Sequence, residues 1–173
     1  VLDLGCGTGR IADPLALEGH DVLAVDESAD MLAEVQHART LCASIGSLSL
    51  DTRFDVVLLL SHLINGTDGE ELLEVAAKHV TGRGSVLVQR LEPGRDWRPG
   101  AVIQGDVTIS LDSIRVSGSI IEATTEYVLG ERSWRQPWRM RVIDDAELSA
   151  MTKRLGLTIE LLDGAWVLLR PAT

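Results

Sequence analysis

Cysteine is scarce in this 173-residue chain: Cys6 and Cys42 are its only two, and they show no paired spacing. That excludes a disulfide-stapled scaffold and a cysteine-based zinc site, so no metal is expected and a reducing cytoplasm is the default setting. Long apolar runs are missing as well. The run at 56–60 has strand length, far short of the roughly 18 residues a membrane span needs. Cationic residues are outnumbered, with 16 Lys and Arg against 26 Asp and Glu and a net charge of −10. A nucleic acid or an anionic membrane attracts the opposite balance, so neither is an expected partner. No secretory leader is visible, and the first residue, Val1, already lies in an apolar strand, which suggests a trimmed or partial chain. What the chain does have is 45% hydrophobic residues, enough for one domain with a real core.

The first ninety residues alternate between strand and helix patterns. Residues 1–4 read as a strand and 5–9 as a glycine-rich turn. Ile11, Leu15 and Ala16 then recur at helical spacing before Gly19, with Pro14 tolerable in a first turn. Residues 21–25 read as a second strand. Ser28 is a good helix N-cap, with Met31, Leu32 and Val35 as the expected buried stripe. Residues 41–43 form a short third strand, and the continuous apolar run 54–60 suits a central parallel strand. A helix is expected over 70–80 with Leu72, Leu73, Ala76 and Val80 on one face, ended by Gly82 and Gly84, followed by a strand at 85–89. This alternation predicts a doubly wound α/β sheet, which takes its ligands at the carboxyl ends of the strands.

Beyond residue 90 the pattern changes. Residues 92–105, rich in Pro, Gly and Arg, read as a loop. Three β-like runs at 107–116, 120–129 and 132–142 then predict an antiparallel insertion, with turns at Ser117-Gly118 and Gly130-Glu131. Asp144 and Glu147 form a capping pattern for a helix through Leu148, Met151 and Leu155. Asp163-Gly164 joins two final strands in a hairpin. The expected units are therefore a ligand-binding core at 1–90, an insertion at 91–143 and a completing helix and hairpin at 144–173.

The chemistry concentrates in Asp3-Leu4-Gly5-Cys6-Gly7-Thr8-Gly9. Three glycines between a strand and a helix let the backbone approach a ligand closely. Their G-x-G-x-G spacing differs from the G-x-G-x-x-G that seats a pyrophosphate. Asp3 would repel phosphates and accept hydrogen bonds from an ammonium group. Asp26 ends the second strand near the distance expected for a ribose-binding acid, which points to an adenosine ligand. Glu27 beside it disfavours a 2′-phosphate.

VLDLGCGTGR, VDESADML and FDVVLLLSHLIN together resemble the successive motifs of class I S-adenosylmethionine (SAM)-dependent methyltransferases, over residues 1–90 and again from 144 to the end. The resemblance implies a Rossmann-like seven-stranded sheet whose last strand is antiparallel, with the antiparallel insertion after the fifth strand. It implies SAM as the cofactor, with the methionine part on Asp3 and the Gly5, Cys6, Gly7 and Gly9 turn, and the ribose on Asp26 and Glu27. Met31 is then expected near the adenine. Ser44 aligns with the family's usual adenine-binding Asp, and Ile45 with the residue that stacks on the ring. The family also carries one or two helices ahead of the first strand, which the pattern here lacks.

Ser61, His62 and Asn65 follow the fourth strand and are expected beside the transferred methyl, Ser61 toward the cofactor and the other two toward the acceptor. Two readings of His62 stand: a general base or orienting group for the acceptor, or a residue that only lines the loop. His20 and His79 read as structural, His37 as exposed on a helix, and Asp55 as structural. Along 132–141, alternation puts Trp134, Trp138 and Met140 on one face and Arg135, Arg139 and Arg141 on the other. This is either a half-buried strand with a solvated basic face, or a roof in which Trp134 or Trp138, joined by Trp97, lines an acceptor pocket and an Arg meets an acidic acceptor. Two functions of different class follow: an enzyme that methylates a small-molecule acceptor and releases S-adenosylhomocysteine, or a SAM-fold binding module without catalysis. The glycine spacing disfavours a third, a nicotinamide oxidoreductase.

Overall fold

The computed structural model describes residues 1–172. Strands β1 (Leu2–Leu4), β2 (Leu23–Asp26), β3 (Arg39–Cys42), β4 (Phe54–Leu59), β5 (Val80–Gln89), β10 (Leu157–Asp163) and β11 (Trp166–Pro171) form one sheet in the order β3-β2-β1-β4-β5-β11-β10. β1 to β5 pair in parallel, and β11 inserts antiparallel between β5 and β10. The strand order reverses between β1 and β4, so the ends of β1, β2 and β4 open into a common crevice. This is the expected α/β class, with the last strand antiparallel.

Helices cover both faces of this sheet. α3 (Gly69–His79) and α4 (Asp145–Arg154) pack Leu72, Leu73, Leu148 and Met151 against Leu2, Leu4, Val57 and Leu59 in the main core. α1 (Ala12–Leu17) packs with Val22 and Ala24 in a smaller cluster. The capping expectations hold: Ser28 Oγ accepts from Met31 N and Asp144 Oδ1 from Glu147 N. His79 is buried and structural, its ring bridging the Val75 carbonyl and Leu50 N. Asp55 accepts a hydrogen bond from Thr81 at the far end of β4.

Four expectations need correction. α2 (Ala29–Leu32) is a single turn, so Met31 stays 47% exposed and only Leu32 is buried. His37 lies in the bend beyond it, not on a helix. α3 runs straight into β5 at Val80, with Gly82 and Gly84 inside the strand at a register shift against β4. A Cβ on Gly84 would stand 2.7 Å from the Asp55 carbonyl oxygen, so that close approach demands glycine.

The fourth correction concerns the stretch read as a loop, which contains β6 (Gly100–Gln104). β6 pairs with β7 (Val107–Ser117) through a Gly105-Asp106 hairpin turn, and β8 (Ile120–Leu129) and β9 (Arg132–Arg141) complete a separate sheet, β6-β7-β8-β9. Every residue of β6 is exposed, so this edge strand has no buried face to imprint an alternating pattern.

Candidate functional site

The glycine turn follows β1 and folds back on the end of β2. Gly5 N and Cys6 N both donate to the Val25 carbonyl, at 2.8 and 3.0 Å, and Gly9 N donates to the Cys6 carbonyl. Gly7 N donates to Asp26 Oδ2 at 2.8 Å, while Asp26 Oδ1 accepts from Ser28 N at 2.9 Å. The N–H groups of Gly5, Cys6, Gly7 and Gly9 are thus all spent inside the protein. A glycine loop that cradles phosphate does so through free N–H groups. This one leaves oxygens instead, which suits a cation.

Asp3 supplies the charge for that cation. It is 3% exposed, and burial pushes its carboxyl up to about 6, with Arg10 opposing and Asp26 adding to the rise. An ammonium group brought against it would offset the cost of burying the ionised form. Burial also pushes the Cys6 thiol up to about 12, helped by Asp3 and Asp26, so Cys6 stays protonated and is no nucleophile.

Beside the turn lies a cleft of about 500 Å³ lined by Gly5, Asp26, Glu27, Ser44, Ile45 and Leu63, with Asp68 and Glu71 from the opposite wall. Five residues expected around the cofactor (Gly5, Asp26, Glu27, Ser44 and Ile45) therefore meet in one cavity. Asp3, Cys6, Gly7 and Gly9 belong to the strand end and turn that carry Gly5 and are not themselves among the residues lining the cleft. Gly5 has a φ of +71°, which favours glycine, and a Cβ there would stand 2.5 Å from Leu63 Cδ1, so the Leu63 side chain would have to move off the turn. Met31 is not among the residues lining the cleft. Leu63, Asp68 and Glu71 were not singled out from sequence; Leu63 follows the β4 tip, and Asp68 and Glu71 lie at the start of α3, whose approach to the cleft is a tertiary contact.

At that tip Ser61 and His62 are both left-handed, with φ of 55° and 62°. Two consecutive non-glycine residues there carry backbone strain, a feature of functional turns. Ser61 N donates to Gln89 Oε1 at 3.0 Å, which ties the tip of β4 to that of β5. His62 is half-buried, its Nδ1 is buried without a hydrogen-bond partner, and burial lowers its pKa against the pull of the Arg90 carbonyl. It therefore stands as a neutral imidazole with an unused nitrogen.

Asn65 departs from expectation. It is 1% exposed, its Nδ2 donates to the Arg141 carbonyl at 2.7 Å, and its Oδ1 accepts from Leu91 N at 2.8 Å. Both ends of the amide are bonded to backbone and the side chain is buried, so it does not face an acceptor. The side chain pins the β4 tip to the end of β9. Buried Arg90 makes a second joint, donating to the Ile143 carbonyl and pairing with Asp145.

On the second sheet, Trp138 donates from Nε1 to Thr125 Oγ1 at 2.9 Å and meets Trp97 edge to face, with centroids 5.9 Å apart. Arg95 lies 4.6 Å above the Trp97 ring and contributes to the lowered pKa of His62. The loop after β5 thus links His62 to the Trp97–Trp138 pair. Trp134 lies further along β9, opposite Tyr127 and 51% exposed. Arg135, Arg139 and Arg141 pair with Asp112, Glu122 and Glu147, so the expectation of an arginine waiting for an acidic acceptor is not met.

Residues 1–84 match the family model described as "Methyltransferase domain". In these residues and in its fold, the chain is similar to the class I SAM-dependent methyltransferases. It is 30% identical over 99 residues to a ubiquinone biosynthesis O-methyltransferase from Rickettsia prowazekii, a match spanning 53% of this chain and 39% of that protein. Among solved structures it is similar to the CcbJ methyltransferase from Streptomyces caelestis (TM-score 0.81, 22% identity, covering 99% of this chain and 83% of that one). It is also similar to the sugar N-methyltransferase KedS8 from a Streptoalloteichus species (TM-score 0.77, 17% identity, covering 99% and 79%). The chain thus spans well under half the length of the curated relative and about four fifths of the two solved structures. No helix among the described residues is long and apolar enough to cross a membrane.

Proposed function

We propose that this chain binds SAM and directs its methyl group to a small-molecule acceptor, releasing S-adenosylhomocysteine. The observation that carries the reading is the internal use of the Gly5, Cys6, Gly7 and Gly9 N–H groups beside buried Asp3. Such a turn rejects a pyrophosphate and receives the ammonium end of an amino acid. Asp26 faces the cleft with the remaining lone pairs of its carboxylate, which suit the two ribose hydroxyls. Bound SAM supplies an electrophilic methyl group on a sulfonium.

The protein's own task is alignment. Holding donor and acceptor in line accounts for several kcal/mol of such a reaction. The strained Ser61-His62 turn presents His62 at the β4 tip, with Arg95, Trp97 and Trp138 beyond it. In this reading the acceptor lies between the β4 tip and that aromatic pair, and Trp134 borders the far side. The neutral His62 ring is the group at that tip suited to take a proton from an acceptor that must lose one. The insertion at 91–143 serves as acceptor cover, while 1–90 and 144–173 form the donor half. The reading of the acceptor as a small molecule is supported by the likeness to a ubiquinone biosynthesis O-methyltransferase and to a sugar N-methyltransferase. It is also supported by the net charge of −10 and by the pairing of three of the four β9 arginines with acids, a poor match to nucleic acid. A cytoplasmic setting belongs to the same proposal.

Titration calorimetry tests the donor side. SAM and S-adenosylhomocysteine should bind and NAD should not, and Asp26→Ala should lose at least tenfold in affinity, as expected for charged hydrogen bonds to the ribose. Unchanged affinity in that variant, or tighter binding of NAD than SAM, would remove the reading.

A further inference from the structure

We infer that Glu71, in the first turn of α3, reads the 6-amino group of the adenine ring across the cleft. It takes the part of the carboxylate that the loop after β3 lacks. The inference rests on the SAM-binding reading above and concerns which side chain gives that site its base selectivity.

The wall after β3 offers no acid. Its residues are Ser44, Ile45, Gly46 and Ser47, and the Ser47 hydroxyl is turned back on the Ser44 carbonyl at 3.2 Å. Glu71 reaches that wall from the other side. A Cβ built on Gly46 would stand 3.1 Å from Glu71 Oε1 and 3.6 Å from its Cδ. The carboxylate therefore rests against the bare backbone of Gly46, beside Ile45, which lines the same cleft and which the family resemblance expects to stack on the ring.

Two neighbouring acids of the same helix are committed elsewhere: Glu70 holds Arg154 at 2.6 Å, and Glu74 holds Lys78 at 2.8 Å. Asp68 and Glu27 also line the cleft, but Asp68 Oδ1 lies toward Gly66 and Glu27 stands beside Asp26, away from Gly46. Asp26 accepts from Gly7 and Ser28 at the ribose end. Among the described residues, no hydrogen bond or ion pair engages Glu71.

A carboxylate is an acceptor only, so it complements the two N–H donors of a 6-amino group and opposes the 6-oxo group of guanine or hypoxanthine. An acid in the first turn also suits the helix dipole whatever the cleft contains. The test must therefore read base selectivity and not stability alone.

Calorimetry on the full chain should compare S-adenosylhomocysteine with its 6-deamino analogue, which carries plain purine in place of adenine. Neither ligand has a sulfonium charge, so general attraction to an acidic cleft cancels in the ratio. The wild-type chain should prefer the adenine compound by about tenfold, the low end for a charged hydrogen bond. Glu71→Ala should bring the ratio close to one. Glu71→Gln, which keeps an acceptor oxygen, should retain part of it, and both variants should melt near the wild-type temperature. Three results overturn the inference: no preference in the wild type, a preference that survives Glu71→Ala, or equal weakening of both ligands. If neither compound binds the wild-type chain, the SAM-binding reading beneath it fails instead.

Discussion

The two sheets of this protein handle exposure in opposite ways. β1 is buried along its whole length and β4 from Val57 onward, whereas β6 is exposed throughout and β9 has no buried residue. The seven-stranded sheet is sandwiched by helices, so its strands read as continuous apolar runs. The second sheet separates its faces by charge. Val102, Ile109, Tyr127 and Trp134 stand in one row across its four strands. The reverse face carries the Arg135–Asp112 and Arg139–Glu122 pairs. The donor half is therefore fixed by burial of backbone and core. The putting-together of the proposed acceptor half relies on side chains that remain accessible, and those can change without unmaking the fold.

The sharpest contrast is between two large side chains. Leu59 is fully buried in β4. Leu59→Ala should cost about 2–5 kcal/mol of stability, read as a lowered midpoint in denaturant unfolding. A loss of under 1 kcal/mol there would mean that the core sheet is not the rigid half.

Asp3 gives the next effect, with the opposite sign. Its carboxyl is raised from 3.8 to about 6, chiefly by burial. A raised acid favours the folded state below the unfolded value, and that advantage disappears as pH climbs through about 6. At pH 7, Asp3→Asn should therefore stabilise the ligand-free chain by roughly 2 kcal/mol, seen in its melting temperature. The same change should abolish tight SAM binding. In the wild type, affinity should fall up to about tenfold per pH unit below about 6, since a protonated Asp3 offers the ammonium no charge. A pH-independent affinity would disconnect Asp3 from the ligand.

Asn65 joins the two regions. Asn65→Ala leaves the Leu91 N–H and the Arg141 carbonyl without their partner, at a cost of about 1–3 kcal/mol. Hydrogen exchange should quicken at the end of β9 while β1 and β2 stay protected. Uniform acceleration would show that the sheets open as one unit. The smallest effect belongs to Trp134, 51% exposed. Trp134→Ala should shift stability by no more than about 0.5 kcal/mol. Its consequence should appear in the KM for the acceptor once one is found, and a large drop in melting temperature would cancel the contrast.

The donor half was largely legible in the sequence because its signals are backbone signals. Glycine spacing, Ser28 and Asp144 as caps, and the run at 56–60 each have one physical solution. The expectations for Met31 and Asn65 went astray for a different reason: where a side chain points depends on tertiary contacts. One fewer turn of α2 leaves Met31 outside, and the amide of Asn65 is captured by strands far along the chain. β6 escaped notice because an exposed edge strand has no burial pattern, although Gly105-Asp106 marked its turn. Glu71 reads in sequence as an ordinary first-turn acid, and only the approach of α3 to Gly46 distinguishes it from Glu70.

The two hydrogen bonds that Asp26 accepts from Gly7 and Ser28 bear on any redesign of this site. Cofactor preference in such folds is commonly sought by exchanging the acid at the end of the second strand. Here that exchange would release the turn and the start of α2 together. An altered binding constant at position 26 would then report the loss of a brace as much as the loss of a contact. A successful swap needs a replacement that still receives both backbone donors, which narrows the choice of side chain before any new ligand is considered.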